Sequence, residues 1–178
     1  MAKKITQKRL YNIALYHLSR YETTTEKLKA VLQRRVRKAK FSGDEVDGQA
    51  AEWIEQIVAS MQRQGFVDDN RFAANNIERW FLSGKSLKYI QAKLHQAGLD
   101  PHALLDFEAA GEKDLSEWER AAAETFVRKK KLGPYRTAAA QKEKYAKDLA
   151  SVARAGFPLD LAKEVLNIHG DLNDAEFI

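Results

Sequence analysis

The sequence predicts an all-α fold, and three observations carry that expectation. Apolar residues return at the spacing of a helix face. No segment sustains the apolar/polar alternation, rich in β-branched and aromatic residues, that marks a half-buried strand. The three prolines, Pro101, Pro134 and Pro158, all stand outside the helical stripes, where a missing amide hydrogen does no damage.

In chain order, Thr23-Thr-Thr-Glu26 fits a capping box ahead of Leu28 and Leu32. In such a box the hydroxyl accepts a first-turn amide and the glutamate reaches back. Ser42-Gly-Asp-Glu45 fits another, opening the stripe Val46, Ala50, Trp53, Ile54, Ile57, Val58 and Met61. Asp68-Asp69 reads as the N-cap of a helix carrying Ala73, Ile77, Trp80 and Phe81. Ile90 and Leu94 lie on the next helix. Asp100-Pro101 then supplies a cap with proline at the first helical position, before Leu104 and Leu105. Ser116-Glu-Trp-Glu119 opens the stripe Trp118, Ala122, Thr125 and Phe126, which is expected to face the core. Tyr145, Leu149, Val152 and Ala153 form a further stripe, and Leu161, Ala162, Val165 and Leu166 the last. Gly65, Gly84, Gly98, Gly133 and Gly156 fall just past these stripes, where helices close. About nine helices result.

An internal repeat runs through them. Ile90-x-x-x-Leu94-His-Gln-Ala-Gly98-Leu99 is matched by Leu149-x-x-Val152-Ala-Arg-Ala-Gly156-Phe157, and more weakly by Leu28-x-x-x-Leu32-Gln-Arg-Arg-Val36. A shift of 62 lays Leu15 on Ile77, Leu18 on Trp80, Leu28 on Ile90 and Leu32 on Leu94, and the next offset is 58. The expected architecture is three tandem three-helix units, 5–63, 70–110 and 115–170, in an elongated, curved array with an acidic tail over 171–178. Each unit would need its neighbour to bury its apolar face.

Charge is segregated. Residues 1–40 hold twelve Lys/Arg against two acids, and residues 121–154 hold nine against three. Acidic blocks separate and follow them, with one base against seven acids over 41–70 and two against six over 101–120. Such blocks offer a basic face to a polyanion or to an acidic protein surface, although any one lysine is more often a solvated surface charge. The chain has no cysteine, so disulfides and thiolate catalysis are excluded and a reducing compartment suits it. Met1 to Leu10 carries lysines but no apolar signal-peptide run, and no stretch approaches the ~20 apolar residues of a membrane span. A soluble cytoplasmic protein is expected.

Catalysis finds little support. His17, His95, His102 and His169 are scattered, with no pair spaced to flank a glutamate on a helix. Asp68-Asp69 is better explained by capping than as a paired-carboxylate site. No glycine loop followed by lysine cradles a phosphate, and no serine elbow is present. No cofactor and no metal are expected.

Here the residues reach a known family. Ala14-Leu-x-x-Leu18-Ser-Arg20 leads into Thr25-Glu-x-Leu28-x-x-x-Leu32, then Gly65-Phe-Val-Asp-Asp69-x-Arg71-Phe-Ala73. Gly84-Lys85-Ser86 precedes the Ile90 to Leu99 stretch, and Arg154-Ala-Gly156-Phe157 closes the third unit. In this order and spacing the chain resembles RecX, the bacterial regulatory partner of RecA, over almost its whole length. The resemblance implies a modular helical protein of DNA repair that binds RecA filaments and restrains their recombinase, ATPase and coprotease activities. Val36 stands where the other units have glycine, and the paths of 36–46 and of the insertion at 129–136 stay open.

Two functional readings remain. The first is a RecA-filament modulator, a monomer with no membrane partner. The second is a direct nucleic-acid module, binding single- or double-stranded DNA through units like helix-turn-helix elements. Basic charge serves both, but a tandem array suits a filament better, and no single helix carries a base-reading cluster. The contact residues expected are Arg20, Arg34, Arg35 and Arg37 in the first unit and Lys85, Lys88 and Lys93 in the second. Arg128, Lys129, Lys130 and Arg136 follow in the third. Their role would be charge-assisted contact with phosphate or carboxylate.

Overall fold

Helix starts are set by short polar side chains. In a computed structural model describing residues 4–100, 102–111 and 114–167, the Thr6 hydroxyl accepts the Arg9 amide and opens α1 (Gln7–Leu18). Thr24, one residue after the expected position, accepts the Lys27 amide and opens α2 (Thr25–Phe41). The Ser42-Gly-Asp-Glu45 box caps no helix start. Ser42 closes α2 instead, and α3 (Ala50–Arg63) begins at Gln49 without a side-chain cap. The cause lies far off in sequence. The Ile5 amide donates to the Glu45 carbonyl at 3.0 Å, and Ile5 and Val46 form an isolated parallel bridge. That pairing buries Ile5 and holds 45–46 extended. It also settles the path of 36–46, since α2 runs through Val36 for a further turn.

Asp68 accepts the Arg71 amide at 2.9 Å and starts α4 (Asp69–Leu82). Next come α5 (Leu87–Gln96) and α6 (Ala103–Ala110). The Asp100-Pro101 cap cannot be followed, because Pro101 lies outside the described residues. α7 (Leu115–Lys130) is opened by Asp114, which forms a capping box with Glu117, not by Ser116 with Glu119. The Ser116 hydroxyl donates to Asp114 at 2.7 Å, since the carboxylate is the stronger acceptor for the first-turn amides. The 129–136 insertion becomes a left-handed Lys131 followed by a single 3-10 turn, Gly133–Tyr135. α8 (Ala138–Arg154) and α9 (Leu159–Leu166) complete the described chain. The acidic tail 171–178 lies outside it.

Two units emerge, Met1–Ala74 with Leu94–Ala103, and Asn75–Lys93 with Leu104–Ile178. These boundaries differ from those of the three expected repeats. In the first unit α1, α2 and α3 pack mutually around Leu10, Leu28, Leu32, Ile54, Ile57 and Met61. In the second, α7, α8 and α9 pack together, and Phe81 stacks on Trp118 with ring centroids 5.7 Å apart while Phe107 sits beside both. The buried face of α7 is rotated from the expected stripe. Glu119, Ala122, Ala123 and Val127 are buried, whereas Trp118, Thr125 and Phe126 are half-buried. On α8, Val152 is buried and Ala153 exposed, with Asp148 buried in its place.

Within each unit one arrangement recurs. In the first, the Thr24 hydroxyl donates to the Ala97 carbonyl at 2.6 Å, and Asp69 accepts the Thr25 amide at 2.8 Å. In the second, the Ser86 hydroxyl donates to the Ala155 carbonyl at 2.7 Å, and Glu119 accepts the Leu87 amide at 3.0 Å. Thr24 to Ser86 is 62 residues, and Ala97 to Ala155 is 58. A helix-capping hydroxyl is thus latched onto the turn that closes a later helix. Gly98 and Gly156 occupy those turns at φ +74° and +96°. An added Cβ would lie 2.5 Å from the Glu26 side chain at Gly98 and 2.6 Å from the Ser86 hydroxyl at Gly156. Val36 sits inside α2 with no latch upon it, so no glycine is required there.

Candidate binding surface

The acidic residues that read as possible chemistry are structural. Asp68 caps α4 and Asp69 caps α2. Among the described residues no three His, Asp or Glu side chains gather as metal ligands.

Asp148 and Arg136 make the most buried ion pair among the described residues. Arg136 Nε and Nη2 donate to the two Asp148 oxygens at 2.6 and 2.9 Å, and the Gly133 amide donates to Asp148 at 3.0 Å. Burial pushes the Asp148 carboxyl upward, but the Arg136 and Gly133 donors outweigh it, and the carboxyl lies below its ordinary value. Hydrogen bonding to Asp148 raises Arg136 in turn. The side chain expected to meet a partner is therefore engaged inside its own unit, fixing the 3-10 turn against α8. Glu119 behaves oppositely. Burial raises its carboxyl, and the Leu87 amide offsets this only in part.

The other cations are distributed as follows. Arg20 is exposed and covers the Tyr16 ring at 4.5 Å. On α2, Arg34 and Arg37 are exposed, while Arg35 is half-buried with an Nε that has no hydrogen-bond partner. Lys85 and Lys93 share the ring of Tyr89, at 5.0 and 5.6 Å, and Lys88 is exposed. Trp80 meets Tyr89 edge-on at 6.4 Å. At the end of α7, Arg128 and Lys130 are exposed, and the Lys129 ammonium donates to the Ser83 carbonyl at 3.1 Å. Ser83 stands two residues before Lys85, so the basic end of α7 meets the turn leading to the Tyr89 lysines. Sequence reasoning missed the rings Tyr16, Tyr89 and the 95% exposed Phe41. The i, i+4 spacing of Tyr16 to Arg20, and of Tyr89 to Lys85 and Lys93, is a signal present in the sequence.

The arrangement presents cations and aromatic rings on helix surfaces, suited to charge-assisted binding. No helix among the described residues is long and apolar enough to cross a membrane.

No family model matches the chain. It is 38% identical over 167 residues to the regulatory protein RecX of Myxococcus xanthus (strain DK1622), covering 93% of this chain and 88% of the relative. It is 28% identical over 155 residues to the RecX of Agrobacterium fabrum, covering 87% and 80%. Against the RecX of Streptococcus gordonii it is 28% identical over 169 residues, covering 93% of this chain but 58% of that protein. A crystal structure of RecX from Lactobacillus salivarius superposes with a TM-score of 0.57 at 18% identity, covering 92% and 97% of the two chains, a likeness of fold.

Proposed function

The chain belongs to the RecX family of regulatory proteins, and from that premise we propose that it binds RecA filaments in the cytoplasm and restrains their recombinase, ATPase and coprotease activities in DNA repair. It does so as a binding protein rather than an enzyme, built of three tandem helical units. The observation that carries this reading is the recurrence of the hydroxyl latch at the offsets of the internal repeat. A tandem array can follow a helical polymer and sum modest contacts along it. The contact residues we favour are Arg20, Arg34 and Arg37 in the first sequence repeat, Lys85, Lys88 and Lys93 in the second, and Arg128, Lys129 and Lys130 in the third. Of the other two expected contacts, Arg35 is half-buried on α2 and Arg136 is held by Asp148.

The test is titration into RecA assembled on single-stranded DNA, following ATP hydrolysis and filament length. Hydrolysis should fall and filaments shorten as the protein is added. A protein that neither sediments with filaments nor alters hydrolysis sinks the proposal.

A further inference from the structure

Helix α2 carries seven cations (Lys27, Lys29, Arg34, Arg35, Arg37, Lys38, Lys40) and one acid, Glu26. Lys29 is neutralised by Glu26 and Glu55 at 3.7 and 2.8 Å. Arg34, Arg37 and Lys38 are exposed and have no ion-pair partner within 4.0 Å among the described residues. Positions 34, 37, 38 and 41 follow i, i+3, i+4, i+7 and so share one face over about 10 Å of helix. The helix dipole accounts for cations in the last turn but not for Arg34, two turns inside it. Phe41 ends the stripe at 95% exposure, the largest exposure of any large apolar side chain described, with no polar atom to justify contact with water.

We propose that this outer stripe of α2 binds single-stranded nucleic acid, with phosphates against Arg34, Arg37 and Lys38 and an unpaired base stacked on the Phe41 ring. Unpaired strands offer a flat apolar face and a phosphate together at every step, which is the pairing of chemistries that the stripe displays. In a duplex the base faces are already stacked. Contact with a protein would more naturally surround the ring with apolar neighbours, whereas the residues three and four before it on its helix face are Lys38 and Arg37. This site needs no RecA; it shares Arg34 and Arg37 with the filament contacts proposed above, while Lys38 and Phe41 belong to it alone.

The experiment measures fluorescence anisotropy of labelled oligothymidylate, of an abasic strand of equal length, and of a duplex, with the full chain. Phe41→Ala should weaken oligothymidylate binding by roughly 5- to 100-fold and leave the abasic strand unchanged, while Phe41→Trp restores binding. Reversal of Arg34, Arg37 and Lys38 to glutamate should weaken both strands and lower the salt slope by about 2. The idea is overturned if the parent ignores oligothymidylate at physiological salt, if duplex binds as tightly, or if Phe41→Ala binds like the parent. Sedimentation of the same variants with RecA filaments reads the other function separately. If Phe41→Ala loses filaments but keeps oligothymidylate, the ring is a protein contact and the stacking role is wrong.

Discussion

Asp148 and Glu119 are two buried carboxyl groups with opposite couplings to pH. The Asp148 carboxyl is lower in the folded chain than in the unfolded one. Its contribution to stability is therefore present above the ordinary carboxylate range, about 4, and is lost as pH falls through the lower folded value. Replacing it (Asp148→Asn) leaves Arg136 without a counter-ion and the Gly133 amide with a weaker acceptor. The loss should be about 2 kcal/mol or more at neutral pH, with a smaller decline on acidification, checked by urea melts at several pH values. Glu119 is raised by burial, so the folded chain holds its proton more tightly. Its contribution is complete below the ordinary value and declines as pH rises through the raised one. Glu119→Gln keeps an acceptor for the Leu87 amide and should flatten that decline, matching or exceeding the parent near neutrality. Glu119→Leu should be less stable than both, since the amide then has no partner. A glutamine variant with the parent's pH profile would show that Glu119 is not the titrating group.

At the level of elements, the latches make glycine obligatory for reasons of space as well as backbone. Gly98 and Gly65 share nearly the same φ, +74° and +72°, but nothing lies within 4 Å of a Cβ at Gly65. Gly65→Ala should cost about 1 kcal/mol for the left-handed backbone alone. Gly98→Ala should cost about 1 to 3 kcal/mol more, because Glu26 and the Thr24 to Ala97 bond must shift. Equal melting temperatures for the two variants would refute the steric argument. The same elements show how far sequence carries. Helices were legible wherever Leu, Ile and Val repeat on one face, as at Ile54, Ile57 and Val58. Cap positions slipped where chemistry was degenerate, since Thr23 and Thr24 offer the same hydroxyl and Asp114 outcompetes Ser116. The Ser42 box misled because the Ile5 to Val46 pairing spans 41 residues, beyond any local rule. On α7 the aromatic rings drew the reading, while the face that packs was completed by Ala123 and Glu119. Arg136 reads as a surface cation because nothing local announces its partner Asp148, twelve residues on in α8.

For the whole molecule the question is whether basic surface outside the first unit contributes to binding a polymer. In a tandem array engaged along a filament, each unit adds a modest interaction, and linkage multiplies them through effective concentration. Arg128 and Lys130 are the cleanest test, because both are exposed at the end of α7 and neither faces the Ala122, Ala123 and Val127 core. Lys129 is left alone, since its ammonium holds the Ser83 carbonyl. Arg128→Glu with Lys130→Glu should shift stability by no more than about 1 kcal/mol, part of it from cations lost at a helix C-terminus. Affinity for RecA filaments should nevertheless drop at least about tenfold, the equivalent of 1.4 kcal/mol, and the loss should shrink as salt is raised. Sedimentation with filaments at two salt concentrations, beside thermal melts, separates the outcomes. Unchanged sedimentation with unchanged melts removes the end of α7 from the contact surface. Lowered affinity that is indifferent to salt would assign the loss to altered packing instead of charge.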